Sequence, residues 1–174
     1  MENGQFQIYT GDGKGKTTAA IGLAIRAAGA GLKVYIGQFI KDMEYSEIKI
    51  LRNIPNIEVE LFGTGNGCLI NRHKENKDME YAIRGADKII SAMESGKYDV
   101  VIADEINIAY LIKVLSVEEM HRIIDHRPKN CELVFTGMGA PYEIIKRADL
   151  VTEMREVKHY YKDKGLISRK GIEH

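Results

Sequence analysis

The sequence predicts an α/β domain with a mostly parallel central sheet flanked by helices. Three observations predict it. Short β-rich runs alternate with helical stretches along the whole chain, which is the pattern of strand–helix–strand units. The run 98–103 is apolar apart from Asp99 near its start, as expected of a strand covered on both faces. The chain has 174 residues, 44% of them hydrophobic, enough for one compact domain with a sizeable core.

Residues 6–10 read as the first strand. Residues 17–30 follow as a helix that is apolar almost all round, hence expected to be buried. A second strand is expected at 33–39, then a helix at 44–53 that Pro55 ends. Residues 57–62 form the third strand, and 63–67 a glycine-rich loop. Apolar residues at helical spacing over 76–95 predict a long helix, with Gly96 as its C-cap. After the strand at 98–103, Ser116 caps a helix running to His126, because Glu119 stands three residues on. Residues 131–136 are another buried strand that Cys131 opens as a small hydrophobe. Pro141 begins a short helix, 150–155 is the last strand, and 155–174 is a polar tail. One domain over 1–174 accounts for all of this.

Composition excludes several classes. Lysine plus arginine equal aspartate plus glutamate at 25 each, and no basic stripe with interleaved aromatics occurs, so nucleic acid is not an expected partner. The longest apolar stretch, 19–30, is interrupted by Arg26 and is too short for a bilayer. The first residues lack a basic region and an apolar core, so neither membrane nor export is expected, and a cytoplasmic location is. Cys68 and Cys131 show no metal or disulfide spacing.

Chemistry concentrates in Thr10-Gly11-Asp12-Gly13-Lys14-Gly15-Lys16-Thr17-Thr18, between the first strand and the first helix. Gly11, Gly13 and Gly15 let the backbone curl until successive N–H groups face an anion. The helix behind adds the positive end of its dipole. Lys16 can reach terminal phosphates, and the Thr17 hydroxyl is placed to ligate Mg²⁺. The pattern is that of a nucleoside triphosphate site, ATP with Mg²⁺, on a single-domain P-loop NTPase-like fold; Thr10 stands where the general pattern has its first glycine. The strand at 98–103 delivers Asp104 and Glu105 at its carboxyl end, where they would face the loop and help hold Mg²⁺ directly or through water. The reaction itself is left open by these features.

Further fragments narrow it. They are Arg26-Ala27-Ala28-Gly29, Gln38-Phe39-Ile40-Lys41, Asp104-Glu105-Ile106-Asn107, Thr136-Gly137-Met138-Gly139-Ala140-Pro141, Ala148-Asp149-Leu150-Val151-Thr152-Glu153-Met154, Val157-Lys158-His159 and Lys170-Gly171-Ile172-Glu173. With the loop, and in this order over nearly the whole chain, they closely resemble the ATP:corrinoid adenosyltransferase family, the phosphate-loop type that acts on cob(I)alamin or cob(I)yrinic acid a,c-diamide. Thr10 is that family's usual residue. The resemblance implies that the 5′-deoxyadenosyl group of ATP moves to the Co(I) of a corrinoid and that triphosphate leaves. It also implies an electron donor that reduces Co(II) to Co(I), and a homodimer.

Displacement at carbon by Co(I) requires no general base. The protein must position the carbon and neutralise the leaving triphosphate. Lys16 and Lys14 are the expected catalytic cations, and Gly11, Asp12, Gly13, Lys14, Gly15, Lys16, Thr17, Thr18 and Arg26 the nucleotide-binding set. Thr17 and Glu105 match metal ligands, with Asp104 behind them. Gln38, Phe39 and Lys41, at the end of the second strand, are corrinoid candidates together with His159 in the tail. Relatives carry aromatic residues in the loop after the third strand, where they displace the corrinoid's lower ligand. This chain has Asn66 and Cys68 there, with Leu69 or Ile70 available as an apolar wedge. Two other readings share the loop: a phosphate-loop kinase or nucleoside triphosphatase with another acceptor, and a non-catalytic, nucleotide-dependent corrinoid-binding module.

Overall fold

A computed structural model describes residues 2–41, 44–63 and 75–173. The expected loop residues Asn66, Cys68, Leu69 and Ile70 lie outside the described residues. The elements run β1 (Phe6–Thr10), α1 (Lys16–Gly29), β2 (Val34–Phe39), α2 (Ser46–Leu51), β3 (Ile57–Phe62), α3 (Asn76–Glu94) and β4 (Val100–Asp104). They continue with α4 (Ile106–Leu111), α5 (Val117–Asp125), β5 (Glu132–Thr136), α6 (Tyr142–Ile145), β6 (Leu150–Glu153) and α7 (Tyr160–Lys164). The six strands form one sheet in the order β3-β2-β4-β5-β1-β6. Every pairing in it is parallel. All strand carboxyl ends therefore open onto one edge, where an α/β sheet binds its ligands.

Alternation along each strand divides the core in two. Val34, Ile36, Val100, Ile102 and Val134 face α1 and α2, meeting Ala20, Ala24, Ala27, Ile48 and Leu51. On the other face Tyr35, Phe39, Val101, Ala103, Leu133 and Phe135 pack under α3, α4, α5 and α6. The central strands β4 and β5 are buried at every residue, as the apolar run predicted. Helix α1 is not buried all round. Its buried residues are the stripe Ala20, Ala24 and Ala27, while Ile25 is half exposed. Small alanines let the helix sit close to the sheet on one face, and nothing among the described residues covers its outer face. Strand β6 ends at Glu153 rather than at 155, and as an edge strand it is exposed throughout.

Capping follows the expected chemistry in the helices that flank the sheet. The Ser116 hydroxyl accepts from the Glu119 N–H at 3.3 Å. Gly96 takes a left-handed φ of 64° just past α3. Helix α3 also approaches the sheet closely at Gly85. A Cβ there would stand 2.6 Å from the ring of Phe62, which in turn packs edge-on against Phe39. Gly85→Ala is expected to lower stability by about 1–2 kcal/mol, overpacking outweighing the gain in helix propensity. Chemical denaturation checks it; an unchanged midpoint would mean the ring can move aside.

Candidate functional site

The glycine-rich loop before α1 leaves β1 at Thr10 and is propped from behind by the end of β6. The Met154 N–H donates to the Thr10 carbonyl at 2.8 Å, and the Gly13 N–H donates to the Met154 carbonyl at 2.6 Å. This contact requires glycine. A Cβ on Gly11, whose φ is +96°, would lie 2.4 Å from the Met154 carbonyl oxygen. Gly15, at φ +116°, is the residue before α1 and supplies no side-chain cap; no acidic residue occupies the first turn. The amino end of a 14-residue helix thus keeps its N–H groups and positive dipole for an anion.

Lys16 folds back over the loop and donates to the carbonyls of Gly11 (2.8 Å) and Gly13 (2.7 Å). Burial lowers its pKa, against the pull of Glu105 and Asp12. Beside the loop stand the acidic residues. The Asp104 carboxylate accepts from Thr17 Oγ1 (2.9 Å) and Thr136 Oγ1 (2.6 Å) on one oxygen, and from Gln38 Nε2 (2.7 Å) on the other. The Glu105 N–H donates to Thr136 Oγ1 at 2.8 Å. Asp104 is therefore held by three protein donors and orients Thr17, whose hydrogen is committed so that its lone pairs are free.

Glu105 is different. It takes a left-handed φ of 60° at the end of β4, and Ile40 takes 57° at the end of the neighbouring β2. These strained positions bring the Glu105 carboxylate within 3.8 Å of Lys41 Nζ. Burial and then the charge of Asp104 raise the Glu105 pKa. Burial opposes the charge of Lys41, but the two carboxylates outweigh it and raise its pKa. The Lys41 ammonium also lies 4.9 Å over the Tyr45 ring.

Mg²⁺ fits this donor set. Thr17 and Glu105 offer hard oxygens on the wall of the cleft, with a second carboxylate behind them. A divalent cation would favour the ionised Glu105 that burial disfavours. Among the described residues there is no group of three or more metal-binding side chains, so phosphate oxygens and water would complete the shell.

These elements surround a cleft of about 560 Å³. Of the expected site residues, Lys14, Gly15, Lys16, Thr17, Thr18, Lys41, Glu105 and His159 line it. Asp12 faces away and accepts from the Glu156 N–H at 2.9 Å, which lowers its pKa. Arg26 is exposed, stands farther along α1 and does not line the cleft. Gln38 and Phe39, expected at the corrinoid, are 1% and 0% exposed: Gln38 braces Asp104 and Phe39 belongs to the core. Both lie within β2, which α-helices cover on each face, so their side chains are used up by packing.

Residues outside the expected site set complete the wall. Tyr45, Tyr160, Tyr161 and Glu173 line the cleft, and Thr136 ties Asp104 to Glu105. The tail is folded there: α7 is capped by His159, whose ring nitrogen accepts from the Tyr161 N–H at 3.2 Å. No helix among the described residues is long and apolar enough to cross a membrane.

Comparison with known proteins agrees with this architecture. The chain is 32% identical over 174 residues to a corrinoid adenosyltransferase of Escherichia coli K12, covering 99% of this chain and 87% of that protein. A corrinoid adenosyltransferase of Pseudomonas aeruginosa is 35% identical over 176 residues, at 99% and 84% coverage. The corrinoid adenosyltransferase CobA of Salmonella typhimurium is 31% identical over 180 residues, at 99% and 87% coverage. The family described as ATP:corrinoid adenosyltransferase BtuR/CobO/CobP matches residues 2–174, and the chain belongs to that family.

Proposed function

We propose that this enzyme takes the 5′-deoxyadenosyl group from ATP, with Mg²⁺, and transfers it to the Co(I) of a corrinoid with release of triphosphate. The observation that carries the reading is the joining of an uncapped α1 amino end, Lys16, and the Thr17–Glu105 oxygens on one wall of a single open cleft. Such a wall suits a polyphosphate that departs as one piece, because its charge is met where it accumulates. Mg²⁺ would neutralise part of the triphosphate charge when bound. Lys16 would exchange the carbonyls of Gly11 and Gly13 for phosphate oxygens. Nothing in the cleft need act as a base, since the nucleophile carries no proton. Lys41, His159 and the ring of Tyr45 lie on the walls beyond the loop and are the described residues suited to the corrinoid. An electron donor that delivers Co(I), and a homodimeric state, belong to the same reading.

The test is anaerobic incubation with ATP, Mg²⁺ and chemically reduced cob(I)alamin or cob(I)yrinic acid a,c-diamide. The corrinoid spectrum and the phosphate product are followed together. A light-sensitive alkylcobalt species formed with intact triphosphate is the expected result. ADP without cobalt alkylation would replace this reading with a kinase or phosphatase, and nucleotide binding without any product would leave a binding module.

A further inference from the structure

The two lysines of the phosphate loop have different partners. Lys16 is held by the loop itself, whereas Lys14 is held by the distant tail. Lys14 Nζ donates to Glu173 Oε1 at 2.9 Å and to the Tyr160 hydroxyl at 3.1 Å. Glu173 is a hub. It also accepts from the Tyr160 hydroxyl, from the Arg169 N–H at 2.7 Å and from the Arg169 guanidinium at 3.1 and 3.3 Å. This crowd of donors lowers the Glu173 pKa, and the same partnership raises that of Lys14. Both residues line the cleft next to Lys16 and Thr17.

We propose that Glu173 competes with the polyphosphate for Lys14: its carboxylate keeps the ammonium on the tail and yields it when a polyphosphate occupies the loop, so that Glu173 sets nucleotide affinity. The inference rests on the polyphosphate reading of the cleft and assigns that site a regulator from the far end of the chain.

Three features support exchange over a permanent strut. The Lys14 side chain is 45% exposed, so the pair is screened and cheap to open. Glu173 retains Arg169 and Tyr160 after Lys14 departs, so no carboxylate is stranded. A polyphosphate carries several charges and out-competes a single carboxylate for one ammonium. No covalent step is involved; one ammonium exchanges one oxygen partner for another.

The experiment uses the full chain and inorganic tripolyphosphate as probe, measured by titration calorimetry. Glu173→Gln is expected to bind it about threefold more tightly than wild type, the range of an exposed ion pair. In a Lys14→Ala background the same substitution is expected to change nothing. In turnover, KM for ATP falls by the same factor while kcat is unchanged, a split that general loosening of the tail would not give. Equal or weaker binding by Glu173→Gln would overturn the proposal. So would a tightening that survives Lys14→Ala, because it would then be simple charge repulsion. If wild type and Lys16→Ala both fail to bind tripolyphosphate, the polyphosphate reading falls and takes the proposal with it; if they differ while Glu173→Gln equals wild type, the competition alone is wrong.

Discussion

Lys16→Ala is expected to abolish detectable adenosyl transfer, with kcat/KM for ATP down by about 10³-fold or more, as for removal of a charged group aimed at a leaving anion. Lys16 now satisfies two loop carbonyls at 2.7 and 2.8 Å, so it helps hold the loop curled before it meets phosphate. Both hydrogen bonds are only partly buried, and water replaces the ammonium after truncation. Stability is therefore expected to change by under about 1 kcal/mol. Thermal denaturation together with the cobalt-alkylation assay separates the two effects. A folded Lys16→Ala protein with wild-type turnover would remove the phosphate loop from the mechanism. Lys16→Arg should not rescue, because the planar guanidinium is too large to sit between the Gly11 and Gly13 carbonyls.

How much of this was legible in the sequence varied with the range of the interaction. The loop was readable because its chemistry is local: three glycines, Lys16 and Thr17 act within one turn. The central strands were readable because full burial demands a mostly apolar run, broken in β5 only by Glu132 and Thr136 at its ends. Helix α4 was not expected, since Ile106–Leu111 continues the apolar character of β4 and has only six residues. What separates the two is the left-handed turn at Glu105, which no hydrophobic pattern records. Helix α7 escaped notice because it has no buried face. Gln38 was placed at the corrinoid because strand ends carry ligands in this architecture. Register decides otherwise: it pairs with Asp104 on β4 and its NH₂ donates there. The Lys14–Glu173 contact spans 159 positions, and no local signal could have found it.

Asp104 provides the sharpest separation of structure from charge. Asp104→Ala leaves the Thr17 hydroxyl, the Thr136 hydroxyl and the Gln38 amide facing a buried void. That is expected to cost about 2–4 kcal/mol, from unsatisfied donors and the lost packing. Asp104→Asn should be far milder, for a reason specific to this site. The carboxylate oxygen that takes both hydroxyls can become the amide oxygen of asparagine, which still accepts from both. The new NH₂ then meets Gln38, whose Oε1 is buried without a partner. If the Gln38 amide turns over, that oxygen receives the new donor while the Gln38 NH₂ takes the position that already lacks a partner, so the network keeps three hydrogen bonds with one negative charge fewer. Stability should fall by less than about 1 kcal/mol, while Thr17 keeps its orientation. The missing charge behind Thr17 should instead appear as weaker Mg²⁺ affinity: more Mg²⁺ for half-maximal ATP binding, and turnover down by about 10²-fold. Titrating ATP binding against Mg²⁺ reads this without reference to catalysis. If Asp104→Asn binds Mg-ATP like wild type, Asp104 is a scaffold for Thr17 alone. If it unfolds like Asp104→Ala, the Gln38 amide does not turn over, and Asp104 is held by its charge rather than by its hydrogen bonds.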